Sequence, residues 1–225
     1  MPRYTHLFFD LDHTLWDFDK NSDLAYARLF VSREMDLDLL AFAKAYKPIN
    51  LRYWKAYREE RVSQIDLRRG RLRDTFSAMS LSYDDEVLDA IAAQYIEELP
   101  GSNHLFPHTI EVLDYLRSKY TLHCITNGFY GVQHRKLERS GLAPYFQTVT
   151  TADDAGCKKP DPRIFQHALD LAGATASKSL MIGDSLEADI LGSRDFGMEA
   201  WHFDPSGNQA DSTTFNDLRT LKKRL

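Results

Sequence analysis

Asp10 and Asp12 stand two residues apart at the end of an apolar run, in the stretch FFDLDHTL from Phe8 to Leu15. Side chains alternate along an extended segment, so these two carboxylates point to the same side. A second apolar run, SLMIGD, closes on Asp184. Carboxylates brought together do not all ionise cheaply: one keeps a proton, or a cation sits among them. A few hard oxygen ligands with open positions favour Mg²⁺ over a full Ca²⁺ cage. A calcium loop of the EF-hand kind does not fit. With Asp10 as its first position, the sixth is Leu15 where Gly is needed and the twelfth is Asn21 where Glu is needed. Positive charge and N–H or O–H donors stand nearby in the motif order. Lys158 and Lys159 lie in CKKPDP, and Thr14, Thr126, Asn127 and Gly128 lie where strands give way to loops and helices. Such donors suit a phosphate group.

These residues need a scaffold that gathers chain ends. Tyr4 to Phe9 reads as a short buried strand closing on Asp10. From residue 18 to residue 100 the texture is helical. Leu24, Ala27, Val31 and Met35 recur at helical spacing, as do Leu39, Phe42, Ala43 and Tyr46. Ser63 with Asp66 forms a capping-box pattern, and Asp84 is placed to cap a fourth helix carrying Val87, Leu88, Ile91 and Tyr95. After Pro100-Gly101 strands and helices alternate. A helix starts near Pro107 with Ile110, Leu113 and Leu116 on its apolar face. The strand TLHCITN follows, then a helix to Gly141, the strand FQTVTT, and an Asp153-Asp154 loop. A helix from Asp161-Pro162 stops at Gly173, and the strand ending in Asp184 follows. A helix then runs to Gly197, EAWHF is the last strand, and a helix covers Thr213 to Arg224. This alternation implies an α/β fold, a doubly wound parallel sheet of Rossmann-like type built from residues 1–17 and 101–225, with a helical cap inserted over 18–100. In such a sheet ligands bind beyond the carboxyl ends of the strands, where Asp10, Thr126-Asn127 and Asp184 fall.

The totals narrow the partners. The chain has 225 residues, 43% hydrophobic and 27% charged, with a net charge of −5. That balance speaks against a nucleic-acid polymer or a membrane surface as partner. No apolar run approaches the ~18 residues of a membrane span. The N-terminal twenty residues carry four Asp and lack the pattern of a signal peptide. Cys124 and Cys157 make no disulfide framework and lack metal-ligand spacing. A cytoplasmic protein, monomeric or a small homo-oligomer, acting on a small phosphorylated metabolite is the expectation.

Taken in order, DLDHT, ITNG, KKPDP and GDSLEAD resemble the four signature motifs of the haloacid dehalogenase-like (HAD) superfamily, over Asp10 to Asp189. The resemblance implies a phosphatase with Asp10 as nucleophile, forming an aspartyl-phosphate, and Asp12 as general acid and then base. It implies Mg²⁺ on Asp10, the backbone carbonyl of Asp12, and Asp184, with Asp189 orienting a metal-bound water. Thr126 and Lys159 would hold the phosphate. Lys159 is preferred to Lys158 because the motif lysine of the family usually lies directly before Pro, here Pro160. At His13 many members carry Gly, so the loop backbone there is a point of difference. The helical insertion resembles the cap of one HAD subfamily. The stretch from Lys47 to Arg71, with ITNGF and LERSGL, is similar to the 5′-nucleotidase branch, which implies nucleoside 5′-monophosphates. A sugar phosphate or another small phosphorylated metabolite, handled by a phosphatase or phosphomutase, is the alternative. Within the insertion Trp54 could stack on a base with Tyr57, and Asn50 and Arg71 could read its edge or a sugar. The other arginines read as helix faces balanced by Glu59, Glu60 and Asp66.

Overall fold

A computed structural model describes residues 3–207 and 212–225. In chain order the main elements are strand β1 (His6–Phe9), helices α1 (Phe18–Ser32), α2 (Leu39–Arg58), α3 (Gln64–Ala78), α4 (Asp85–Glu98) and α5 (Thr109–Arg117). Then come β2 (Thr121–Thr126), α6 (Tyr130–Arg139), β3 (Thr148–Thr151), the short α7 (Ala152–Ala155) and α8 (Pro162–Ala172). The chain closes with β4 (Ser179–Gly183), a π-helical turn (Leu186–Leu191) running into α9 (Gly192–Phe196), β5 (Glu199–Phe203), β6 (Thr214–Phe215) and α10 (Thr220–Arg224). The chain divides into two compact units, Met1–Asp17 with Asn103–Leu225, and Phe18–Ser102.

The first unit is a six-stranded sheet in the order β3-β2-β1-β4-β5-β6. Every neighbouring pair is parallel. Leu7, Phe8 and Phe9 are each fully buried, as are Leu180, Met181 and Ile182. A strand covered on both faces reads as a continuous apolar run, which is why HLFF and SLMIG lack alternation. One core layer joins Phe8, Ile125, Met181 and Ala200 of the sheet to Ile164, Phe165 and Ile190. β1 lies between β2 and β4, so successive connections leave it in opposite directions, and the strand order reverses there. That switch point is where a parallel sheet opens a crevice for a ligand.

The second unit is four helices around an aromatic core. Tyr26, Phe42, Tyr46, Phe76 and Tyr95 are nearly fully buried, and Tyr26 stacks on Tyr95 with ring centroids 4.3 Å apart. The caps read from the sequence are present. Ser63 and Asp66 exchange both capping-box bonds at α3, and the Asp84 side chain accepts from Val87 N at α4. Arg52 pairs with Asp74, and Arg69 and Arg73 reach Asp85. The arginine faces are balanced across helices as well as locally, where Arg61 pairs with Glu59 and Asp66 lies in the field of Arg69 and Arg73.

Several expected elements differ. Glu199–Phe203 is not the last strand: Thr214–Phe215 adds β6 beside it, and helix is confined to Thr220–Arg224. Thr213, Thr214 and Phe215 favour an extended edge, and the Asp217 carboxylate turns the chain by accepting from Arg219 N at 2.8 Å. On α1 the buried stripe is Ser22, Ala25, Tyr26, Leu29 and Phe30, while Val31 is 81% exposed. The ring-bearing residues outweigh the aliphatic spacing seen in the sequence. On α5 Val112, Leu113 and Leu116 are buried and Ile110 is exposed. Asp153 and Asp154 belong to α7 rather than a loop: Asp154 closes a capping box with Thr151, and Asp153 accepts from Tyr130 N at the start of α6. Among the described residues no helix is long and apolar enough to cross a membrane. Cys124 and Cys157 are buried thiols.

Candidate active site

Asp10 is the first residue past β1, and its N–H still donates to Ile182 O at 2.9 Å. The ladder with β4 therefore fixes its backbone, and its side chain is buried beyond the strand ends. Lys159 comes from the loop between α7 and α8. Its ammonium group donates to Asp10 Oδ1 at 2.6 Å and to Ile125 O at 2.7 Å, and lies 2.6 Å from Asp189 Oδ1. Asn127 holds the lysine by its backbone, accepting from Lys159 N at 2.7 Å and donating to Lys159 O at 2.9 Å. The Asn127 amide, expected at the phosphate, is thus spent on placing Lys159.

Three carboxylates crowd this ammonium. One oxygen each of Asp10, Asp184 and Asp189 lies within 4.8 Å of the others. Thr14, the residue after His13, is buried with its hydroxyl 3.2 Å from Asp184 Oδ1 and 3.4 Å from Asp10 Oδ2. Asp189 is tied by Ser185 N, which donates to Oδ2 at 3.0 Å. Gly183 leaves room for it, because a Cβ there would collide with the Asp189 carboxylate. The carbonyl of Asp184 accepts from His202 Nε2 at 2.8 Å, which fixes the backbone of the third strand end.

Burial raises the pKa of Asp10 well above the ordinary carboxylate range; Lys159 opposes this, and Asp189 and Asp184 add to it. Burial and the charge of Asp189 push Asp184 up to about 8 against the pull of Lys159. For Lys159 burial works against the charged form, but Asp10 and Asp189 outweigh it and the pKa rises. Three acids against one ammonium leave uncompensated negative charge in a buried place. The donors are hard oxygens, two of them on carboxylates that burial makes reluctant to ionise alone. This set fits a small divalent cation such as Mg²⁺.

Asp12 is held differently. Lys136 Nζ donates to its two oxygens at 2.7 and 2.9 Å, and Gln133 Nε2 donates to Oδ2 at 2.9 Å. Gln133 Nε2 also donates to Thr126 Oγ1 at 2.6 Å, and Gly128 N donates to the same hydroxyl at 3.2 Å. Neither Gln133 nor Lys136 stands out from the motifs, and sequence reading missed both. The available signal was their spacing. They share one buried stripe of α6 with Val132 and Leu137, an unusual place for two long polar side chains.

His13 sits at φ 64°, in the left-handed region. This explains why Gly is common at its place, since Gly adopts that backbone without a Cβ penalty.

The residues expected to read a base belong to the helical unit. Asn50 and Arg71 are 5% and 3% exposed in its interior, where Arg71 Nη1 donates to Asn50 Oδ1 at 2.8 Å. The guanidinium also lies over the rings of Tyr46 and Tyr95, 5.7 and 5.2 Å from their centroids. Trp54 is partly exposed on α2 and meets Tyr57 edge-on at 5.8 Å.

Known proteins resemble this chain in sequence and fold. Residues 4–197 match the haloacid dehalogenase-like hydrolase family. The chain is 34% identical over 207 residues to the pyrimidine 5′-nucleotidase PynA of Streptococcus pneumoniae, covering 90% of this chain and 84% of that protein. It is 28% identical over 232 residues to the pyrimidine 5′-nucleotidase YjjG of Escherichia coli, covering 99% and 98%. The crystal structure of the HAD-hydrolase YfnB from Bacillus subtilis bound to magnesium superposes with a TM-score of 0.90 at 27% identity, over 100% of this chain and 99% of that one. The acid cluster at the switch point of a parallel sheet, and a match that runs from the first strand to the end of α9, have one explanation: this chain belongs to the haloacid dehalogenase-like hydrolase family.

Proposed function

We propose that the protein is a Mg²⁺-dependent phosphomonoester hydrolase working through an aspartyl-phosphate on Asp10, with nucleoside 5′-monophosphates as substrates. The observation that carries this reading is the buried Lys159 ammonium, 2.6 Å from both Asp10 and Asp189. Such a centre keeps a nucleophilic carboxylate in place and offers positive charge to phosphate oxygens as charge moves during transfer. Asp10 attacks phosphorus in line with the leaving oxygen. Asp12, 23% exposed at its side chain, gives a proton to that oxygen and then takes one from the water that cleaves the acyl phosphate. Thr126 donates its hydroxyl to a phosphate oxygen, with Gly128 N beside it. Asp10, Asp184 and the Asp12 carbonyl would hold the divalent ion, with Asp189 steadying Lys159 and the ligand set; the ion supplies charge neutralisation at the phosphate.

The magnitudes require all of these parts. Hydrolysis of phosphate monoesters is accelerated by up to ~10²¹, or roughly 29 kcal/mol. Acid–base help contributes only ~10²–10⁴ of it. The rest falls to positioning, the covalent route and charge stabilisation.

For the leaving group, the similarity to two pyrimidine 5′-nucleotidases supports a nucleoside. Within the helical unit we assign base stacking to Trp54, with Tyr57 behind it. The buried Asn50–Arg71 pair is assigned to the interior of that unit. Purified protein is tested against nucleoside monophosphates and sugar phosphates with free phosphate as readout. Turnover of nucleotides that stops with EDTA, returns with Mg²⁺ and disappears in Asp10→Asn is expected. Substantial turnover by Asp10→Asn overturns the covalent route. A preference for sugar phosphates overturns the nucleotide reading.

A further inference from the structure

We propose that Gln133 and Lys136 are positioning residues that hold Asp12 and Thr126 in register for leaving-group protonation. This rests on the reading of Asp12 as proton donor. Both side chains project from one face of α6, 1% and 2% exposed, and three of their hydrogen bonds end on the Asp12 carboxylate. The carboxylate is gripped from its buried side while keeping an accessible edge. An acid–base group needs that combination: a fixed direction and a way to the substrate.

Gln133 does a second thing. The same Nε2 that reaches Asp12 Oδ2 reaches Thr126 Oγ1, so one amide nitrogen spaces the acid from the phosphate-side hydroxyl. Thr126 Oγ1 also accepts from Gly128 N. A hydroxyl has two acceptor lone pairs and one proton to give. With both lone pairs engaged, its proton is directed away from them, toward an incoming anion. The backbone is shaped for this bridge, since a Cβ at Gly128 would collide with the Gln133 amide. Gly128 thus serves Gln133 as well as the phosphate.

Lys136 is itself confined. Its ammonium lies 4.4 Å from the centroid of the Trp16 ring, which is fully buried. Trp16 in turn is bound into the Asp12 loop, its backbone N–H donating to Leu11 O at 2.9 Å and its backbone bridging to Asp12. Cation, ring and carboxylate loop form one closed packing unit, and a desolvated ammonium over an indole is well held. A merely structural pair would need the carboxylate only to neutralise the lysine. It would not need Gln133 to tie that carboxylate to Thr126.

The test reads leaving-group dependence. Values of kcat/KM report transfer to Asp10, the first irreversible step, and are measured for Lys136→Met, Gln133→Met and Asp12→Asn on aryl and alkyl phosphates of graded leaving-group basicity. A good leaving group needs no proton and a poor one does. The proposal expects both α6 variants to lose about 10–100-fold on the poorest leaving group and less than about threefold on the best, following the trend of Asp12→Asn. Equal losses across the series in the α6 variants, beside a steep trend in Asp12→Asn, overturn the positioning role and leave the acid standing. A flat series in Asp12→Asn removes the acid assignment and the proposal with it. Gln133→Met changes no charge, so it carries the test if Lys136→Met does not fold.

Discussion

Lys159 of the sheet unit and Arg71 of the helical unit are both buried cations, and they are held in opposite ways. In the sheet unit Lys159 sits among Asp10, Asp189 and Asp184, with more negative charge than one ammonium neutralises. In the helical unit Arg71 has no carboxylate partner among the described residues; it has Asn50 Oδ1 and the faces of Tyr46 and Tyr95. Aromatic faces and an amide oxygen hold a guanidinium without importing a second charge, which suits an interior that has only to stay packed. Surplus carboxylates are costly unless a cation or a phosphoryl group completes them. The acid-rich centre therefore carries a surplus of charge, and the aromatic one does not, although Arg71 Nε and the Tyr26 and Tyr46 hydroxyls in it have no hydrogen-bond partner among the described residues.

The largest test of that contrast is Lys159→Met. Without the ammonium, Asp10 and Asp189 face each other unshielded. Phosphate release on an aryl phosphate should fall at least about 10²-fold. Activity within tenfold of the parent would show that Lys159 is only a packing element.

Asp184→Asn probes the surplus charge through stability. Because the folded pKa of Asp184 stands at about 8, above its unfolded value of 3.8, the folded state keeps a proton that the unfolded state gives up. In metal-free protein this term favours folding at low pH and is lost as pH rises from about 4 to about 8. Asp184→Asn should flatten that slope and raise the neutral-pH melting temperature, by about 2–4 °C for each kcal/mol recovered. Mg²⁺ should raise the melting temperature of the parent further, and Asp184→Asn should remove that rise. An unchanged slope would mean that the cluster carries no excess charge.

Arg71→Met examines the other side. It should cost about 1–3 kcal/mol, mostly from the orphaned Asn50 amide, and leave kcat/KM within about threefold on aryl phosphate and nucleotide alike. Adding Asn50→Leu should restore part of the loss, as chemical denaturation would report. A selective loss on nucleotides would return Arg71 to the substrate.

The smallest effect is expected at His13. His13→Gly removes the Cβ from a backbone at φ 64° and should stabilise by no more than about 1 kcal/mol. A clear loss of stability or activity would give the imidazole a role of its own.

Much of the molecule was legible from residue order. The runs HLFF and SLMIG, each followed by an acid, announce strands buried on both faces with chemistry at their ends. Ser63–Asp66, Asp84, Asp161-Pro162 and Gly173 mark helix ends through local hydrogen bonding and backbone preference. Less legible were choices between similar local options. The stripe on α1 turned on which rings met Tyr46 and Tyr95, and Thr214–Phe215 became a strand because β5 offered an unpaired edge.

By itself the sequence determined the periodic elements, the caps and the strand-end acids, because each depends on residues only a few positions apart. The tertiary structure alone decided that Gln133 and Lys136, 121 and 124 residues beyond Asp12, would grip its carboxylate, and that Asn127 would clamp the backbone of Lys159 rather than face outward. Those contacts exist only once β1 lies beside β2 and the chain end of each strand is brought to one rim. No local preference of the chain encodes the partner of a side chain that distant, since the partner is set by which strands become neighbours.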